Sequence, residues 1–345
     1  MKEPTLVPLF YLLHVDDLLI LTADKTARAE LEAALKSAYG DDCELHTGSV
    51  IEYLGMQIER LNPFTGFKVW QPGYTSRSTE NYTPDSKSYT SPSTSDFFDT
   101  IDDPNVEYSA EYAHEFQSHL ATLLYLACHT RPDILKECVF LASLIMNPGP
   151  IARAKLNRIY GYLRATPNLG IFITGGDLQL TVYTDASYAV HRNGRSHSAL
   201  VVSLGTDSGP IMVKSKAQPI VTTSSTEAEI QALVSGVQKV SPIYRILLEL
   251  GIHHGTPIRV LQDNISAITI AKGGEGYAGK SRHMRVRYQY LCEMSEDGII
   301  KFAHCPTKHM IADICTKPMG GAQFRYLRAK LLNIPQTSEY SKYHV

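Results

Sequence analysis

The stretch Thr181-Val182-Tyr183-Thr184-Asp185 is an apolar run that ends on an acid, and it sets the reading of this 345-residue chain. A second run of the same build, Val260-Leu261-Gln262-Asp263, follows later. Short runs of this kind read as strands. Carboxylates at the ends of adjacent strands converge at one edge of a sheet. Converging carboxylates repel unless a cation sits between them, and a hard, oxygen-seeking ion such as Mg²⁺ suits that donor set. Two such ions about 3.5–4 Å apart can activate a water and stabilise the leaving oxygen in phosphodiester hydrolysis. Each acid also has a bland role. Asp185 can begin a turn, and Asp263 with Asn264 can cap a short helix over Ile265–Ala271.

Working outward, strands are expected at Leu178–Tyr183, Ser198–Leu204 and Ile211–Lys214. A long helix, Thr226–Gly251, follows, with an interruption expected near Pro242 because proline removes a helical hydrogen bond. Then come a strand at Ile258–Gln262, a helix at Arg285–Met294, a last strand at Ile299–Ala303 and a short helix near Met310–Cys315. Three antiparallel strands followed by alternating helices and strands give an α/β fold with a mixed sheet covered by helices.

A third acid comes from the start of the long helix, Ser224-Ser225-Thr226-Glu227-Ala228-Glu229. Two capping boxes compete there, Ser224 with Glu227 and Thr226 with Glu229. The two glutamates are two residues apart and cannot share a helical face. Periodicity leaves both at the edge of the apolar stripe and does not choose between them.

Upstream, Leu9–Leu13 and Leu18–Leu21 flank a polar corner, His14-Val15-Asp16-Asp17, as in a strand-turn-strand unit. Leu31, Ala34, Leu35 and Ala38 mark a helix stopped by Gly40, and a hairpin is expected over Tyr53–Arg60 and Phe67–Gln71. Residues 75–109 are rich in Ser, Thr, Asp and Pro and read as a linker or poorly ordered excursion. Helices return with Leu120, Leu123, Leu124 and Ala127, again from Pro132, and over Leu156–Leu163. Arg153, Lys155, Arg158 and Arg164 on this last helix read as a solvated face.

The hydrophobic fraction is 43% and the charged fraction 20%, the balance of a globular protein. Net charge is −2, so any polyanionic partner must be held by local patches. The apolar start is broken by Pro4, Pro8, His14, Asp16 and Asp17, which is unlike a signal peptide, and no run is long enough to cross a bilayer. The six scattered cysteines suggest reduced thiols, so an intracellular location, in cytoplasm or nucleus, is expected. His304, Cys305, His309 and Cys315 match no common zinc spacing. Lys272, Lys280, Arg282, His283, Arg285 and Arg287 are opposed only by Glu275 and fall among Gly273, Gly274, Gly276 and Gly279. Such a basic loop can grip backbone phosphates with little regard to sequence, or can simply be solvated.

Five blocks occur in order: Thr184-Asp185-Ala186-Ser187, Lys214-Ser215-Lys216-Ala217-Gln218-Pro219, Ser224–Glu229, Asp263-Asn264-Ile265-Ser266-Ala267 and Ala312-Asp313-Ile314-Cys315-Thr316-Lys317-Pro318. Together they resemble the ribonuclease H domain of copia-type retrotransposon Pol polyproteins. The resemblance implies a ribonuclease H-like five-stranded sheet and cleavage of the RNA strand of RNA–DNA hybrids. It implies Asp185, Glu229 and Asp263 as core metal ligands, Asp313 as a peripheral fourth, and two Mg²⁺ ions with Mn²⁺ as a substitute. Glu229 is preferred over Glu227 because Glu229-Ile230-Gln231-Ala232 fits that family's helix better. His304 stands where related enzymes carry a mobile histidine that assists product release. Lys280, Arg282, His283, Arg285 and Arg287 match the family's basic segment, which would hold the hybrid duplex.

The resemblance extends upstream. His14-Val15-Asp16-Asp17 resembles the reverse transcriptase palm hairpin, with histidine in place of the usual tyrosine. Glu52–Glu59, Leu123–Ala127 and Thr130–Ile134 resemble the segments after it. These imply a partial palm at 1–74, the linker at 75–109, a helical connection region at 110–176, the ribonuclease H domain at 177–320 and a tail at 321–345. With Asp16 so near the start, a further palm carboxylate and the nucleotide-binding fingers have no room before it. Asp16 and Asp17 are therefore expected to be vestigial, without independent DNA synthesis. Rival expectations are a non-catalytic nucleic-acid-binding remnant and an accessory subunit of a full-length reverse transcriptase chain.

Overall fold

The computed structural model describes residues 9–40, 43–62, 66–82, 87–99, 101–103, 105–252, 255–273 and 282–344. The strands β1 (Leu9–His14) and β2 (Asp17–Thr22) pair antiparallel and turn at Val15-Asp16. Helix α1 (Lys25–Tyr39) is capped by the Asp24 carboxylate, which accepts from the Thr26 and Ala27 N–H groups, and it stops at Gly40. Next, β3 (Val50–Tyr53), β4 (Met56–Asn62) and β5 (Gly66–Trp70) form a meander. Its first turn places Leu54 and Gly55 at φ +50° and +71°, the pair of positive values a tight hairpin turn demands.

Four helices follow: α2 (Pro72–Glu80), α3 (Ala110–His129), α4 (Leu135–Ala142) and α5 (Pro150–Ala165). The short β6 (Ile171–Ile173) then pairs back onto β5 and completes a four-stranded sheet, β3-β4-β5-β6. Residues from both sides of the Ser/Thr/Pro-rich stretch thus share one sheet.

Two expectations are corrected together. The described residues of 75–109 are not a loose excursion, and the basic face of α5 is not a freely solvated one, because each partly covers the other. Phe97 and Ser93 are fully buried, and Lys155 Nζ donates to the Phe97 carbonyl at 2.5 Å. Arg158 bonds Ser91 Oγ and lies 4.5 Å over the Tyr89 ring, while Arg164 donates to the Tyr82 and Lys87 carbonyls. Arg153 pairs with Glu115 of α3 at 2.7 Å. Gly161 makes the crossing possible, since a Cβ there would lie 2.5 Å from the Lys87 carbonyl oxygen. The segment lacks apolar periodicity because its backbone carbonyls and hydroxyls are held by guanidinium and ammonium groups, while among its described residues Tyr82, Phe97 and Phe98 are buried in the core and Tyr89 and Ile101 pack partly against it.

The second half begins with β7 (Leu180–Ser187), β8 (His197–Leu204) and β9 (Pro210–Ala217), an antiparallel meander. The long α6 (Ser225–Glu249) runs unbroken through Pro242, unlike the expected interruption. Val237, Val240 and Leu247 on both sides of the proline are buried, so packing outweighs the lost hydrogen bond. Then come β10 (Ile258–Gln262), α7 (Ile265–Ala271), α8 (Arg282–Glu296) and β11 (Ile300–His304). Strands β10 and β11 lie parallel to β7, giving a mixed five-stranded sheet in the order β11-β10-β7-β8-β9. This is the α/β architecture expected. A 3-10 turn at Ile311–Cys315 and helix α9 (Gly321–Leu332) follow.

Both faces of this sheet are covered. Leu180, Val182, Val202 and Val260 pack under α6, α7 and α8. Their alternate neighbours, Tyr183, Val201 and Leu261, join the core shared by α3, α4, α5, the 3-10 turn and α9. The segment expected as a tail is therefore core: Phe324 and Leu327 are fully buried, and Arg328 bonds Tyr162 of α5. Its basic residues, Arg325, Arg328 and Lys330, hid a face that buries the Arg328 guanidinium against aromatic rings.

Candidate metal centre

Asp185 is the sixth residue of β7 and pairs in register with Ala199, so it is part of a strand rather than the start of a turn. Asp263 immediately follows β10, the parallel neighbour of β7. The capping role next to it falls to Asn264, whose side chain accepts from the Ala267 N–H, leaving the Asp263 carboxylate free to face the cluster. Asp313 arrives on the 3-10 turn after β11. The three carboxylates each bring an oxygen within 4.8 Å of the others, the one such group of His, Cys, Asp and Glu side chains among the described residues. Asp185 is fully buried and Asp313 nearly so.

Glu229 comes from α6 on the opposite face of the sheet and stands beside this trio rather than within it. Helix α6 reaches β7 closely because residue 236 is glycine, and a Cβ there would lie 2.6 Å from Thr184 Cγ2. Buried Gln262 holds Glu229, its amide donating to Glu229 Oε2 at 3.0 Å while its carbonyl oxygen accepts from the Asp263 and Asn264 N–H groups. Burial, with the charges of Asp185 and Asp263, pushes the Glu229 carboxyl well above the usual range. The competing glutamate is spent on the helix end. Glu227 accepts from the Thr223 N–H and hydroxyl, and its own N–H donates to Ser224 Oγ at 3.2 Å. The N-cap formed is the one built on Ser224, with Glu227 reaching back one residue beyond it to Thr223.

Lys317 enters the cluster directly. Its ammonium contacts Asp185 Oδ1 at 3.1 Å and Asp313 Oδ1 at 2.8 Å. Burial opposes the lysine's charge, but the two carboxylates hold its pKa above the ordinary value. Asp313 is pushed up to about 7, by burial first and by the Asp185 charge second. An ammonium seated against two of the three carboxylates shows that the site draws positive charge, and its all-oxygen donors suit a hard divalent ion. Thr316 donates to Asp185 Oδ2, and Thr307 donates to Asp263 Oδ2 at 3.0 Å. The loop carrying Asp313 and Lys317 is pinned from α4, where Lys136, buried against Glu137, donates to the Lys317 carbonyl at 2.8 Å.

Gln262, Thr307, Thr316 and Lys317 were not singled out from the sequence as site residues. The available signal was adjacency, since Gln262 neighbours Asp263 and the last two lie within the Asp313 block. His304 ends β11 in register with Gln262 and is exposed. Of the basic segment, Lys280 lies outside the described residues. Arg282 and His283 open α8, Arg285 is exposed, and Arg287 is half-buried with a contact to Met284 Sδ. Asp16 is in the β1–β2 turn and Asp17 starts β2, at the exposed end of that hairpin. His304, Cys305, His309 and Cys315 are not brought together as a metal-binding group among the described residues, where only Asp185, Asp263 and Asp313 converge.

No protein-family model matches the chain. It is 32% identical over 63% of its length to the retrovirus-related Pol polyprotein from transposon RE1 of Arabidopsis thaliana. It is 31% identical over 89% of its length to that from transposon TNT 1-94 of Nicotiana tabacum. The matches span 15% and 23% of those polyproteins, so the chain corresponds to a minor part of each. Among solved structures, the foamy viral protease-reverse transcriptase in complex with RNA/DNA hybrid is similar at a TM-score of 0.47 and 15% identity, over 95% of this chain and 37% of that one. The chain is homologous to the copia-type, retrovirus-related Pol polyproteins of plant transposons.

Proposed function

We propose that this chain hydrolyses the RNA strand of RNA–DNA hybrids with divalent ions held by Asp185, Glu229, Asp263 and Asp313. The observation that carries this reading is the meeting of Asp185, Asp263 and Asp313 oxygens within 4.8 Å at the end of two parallel strands, with buried Glu229 alongside. Bound there, divalent ions supply an activated water and neutralise charge on the phosphodiester. The chain's own residues do the rest. Gln262 fixes the approach of Glu229 and the backbone of Asp263, Thr316 and Thr307 orient carboxylate oxygens, and Lys317 withdraws as the cluster takes up ions. Arg282, His283, Arg285 and Arg287 grip backbone phosphates, and exposed His304 assists departure of product.

A hybrid with a labelled RNA strand, incubated with Mg²⁺, is expected to release RNA fragments ending in 5′-phosphate. Asp263→Asn is expected to abolish cleavage while circular dichroism stays unchanged. Equal cleavage by that variant would remove the carboxylate cluster from the chemistry, and no cleavage by the parent chain would favour a nucleic-acid-binding role.

A further inference from the structure

The sheet carries a second feature beside the carboxylate cluster. A concave groove of about 330 Å³ lies between β9 and α6, lined by Lys214 and Lys216 from the strand and by Ser235 and Lys239 from the helix, over a floor that includes Leu200 and Ala232. No carboxylate lines it. The three lysines have no ion-pair partner among the described residues.

Position makes the groove more than a solvated edge. Lysines on an edge strand commonly guard against edge-to-edge pairing. Here Lys214 and Lys216 are two apart, so both side chains leave the same face of the sheet, the one α6 covers. Their register partners, Leu200 and Ser198, pair in turn with Thr184 and Ala186, which flank Asp185 but face the α6 side with Glu229, while the Asp185 side chain leaves the other face. Strand β9 runs parallel to β7, so Lys216 lies toward the same end of the sheet as Asp185, two strands away, or roughly 10 Å. On the helix, Ala232, Ser235 and Lys239 continue from Glu229 at helical spacing and reach about 15 Å beyond it. Gln218 ties the two walls where the groove begins, its amide donating to Ser198 Oγ at 2.6 Å and to the Ala228 carbonyl at 2.8 Å. Like charges that converge on one hollow without a counter-ion repel one another, and a polyanion relieves that cost.

We propose that this groove is a second backbone-phosphate seat, taking the nucleic-acid strand where it leaves the carboxylate cluster. It rests on the hybrid-nuclease reading for its ligand but uses none of the metal-binding side chains. Its test is the binding of a fluorescent RNA–DNA hybrid by the full chain, followed by anisotropy across a range of salt, with Ca²⁺ in place of Mg²⁺. Each phosphate neutralised contributes about 0.9 to the slope of log K against log salt. Lys214→Gln/Lys216→Gln/Lys239→Gln is expected to flatten that slope by about 2–3 and to weaken binding most at low salt. A control with three exposed lysines elsewhere, Lys25→Gln/Lys36→Gln/Lys330→Gln, has the same net charge and is expected to keep the parental slope. Equal slopes for the parent and the groove variant, or equal flattening by both variants, would overturn the seat. A parent chain that fails to cut hybrids yet shows the groove-dependent slope would sink the nuclease reading and leave the seat standing. A parent chain that does not bind the hybrid sinks both.

Discussion

Replacing Lys317 by methionine should tighten divalent-ion binding, although the change lies in the candidate site and removes a residue in contact with it. The ammonium draws on Asp185 Oδ1 and Asp313 Oδ1, two of the three oxygens that an ion would need. A tethered cation and a divalent ion therefore compete, and the lysine's contacts are subtracted from the ion's affinity. Hydrogen bonds between charged groups contribute about 1.5–3 kcal/mol each when buried. The lysine side chain is 37% exposed, so solvent screening pulls its two contacts toward the lower end of that range or below. A combined penalty of about 1.5–3 kcal/mol corresponds to roughly ten- to a hundredfold in affinity. Calorimetric titration of Mn²⁺ into chelator-treated protein measures it, with no substrate present. Lys317→Met should also melt lower in EDTA, because its carboxylates lose their counter-charge, and gain more in melting temperature on adding ions. An unchanged or weaker Mn²⁺ affinity in a folded variant would refute the competition. It would mean instead that the lysine braces Asp313 for the ion.

Two other substitutions probe the site's surroundings. Ser224, Thr223 and Glu227 close the start of α6, so Glu227→Ala should cost about 0.5–2 kcal/mol in denaturant unfolding and leave hybrid cleavage intact, whereas Glu229→Gln should abolish cleavage. The reverse pattern would exchange the two glutamates' roles. His197 is fully buried between His191 and Ser215, and burial depresses its pKa from 6.5 to about 3. The unfolded chain takes up that proton first, so this contribution is complete above about pH 6.5 and is lost as pH falls toward 3, by a few kcal/mol at most. His197→Gln should flatten the fall in stability between pH 7 and 5. An equally steep fall in the variant would assign it to other groups.

By itself the sequence determined most of the strands, because period and side-chain type are local, but not the short β3 and β6, which pairing with their neighbours defines. It also marked Asp185 and Asp263 as acids at strand ends and, through the ordered blocks, Asp313. Packing decided the rest. Whether Glu227 or Glu229 faces the carboxylates depends on which one the helix start at Thr223-Ser224 consumes and on a glycine that lets α6 approach β7. The basic face of α5 and the polar stretch at residues 87–99 each look solvent-bound when read singly, and bury Lys155, Ser91, Ser93 and Phe97 only against one another. Lys317 reads as one more surface lysine until the turn after β11 folds it onto Asp185, 132 residues away. Local pattern records what a residue prefers next to its chain neighbours. It does not record which distant charge will share its burial, and that pairing sets the electrostatics of this site.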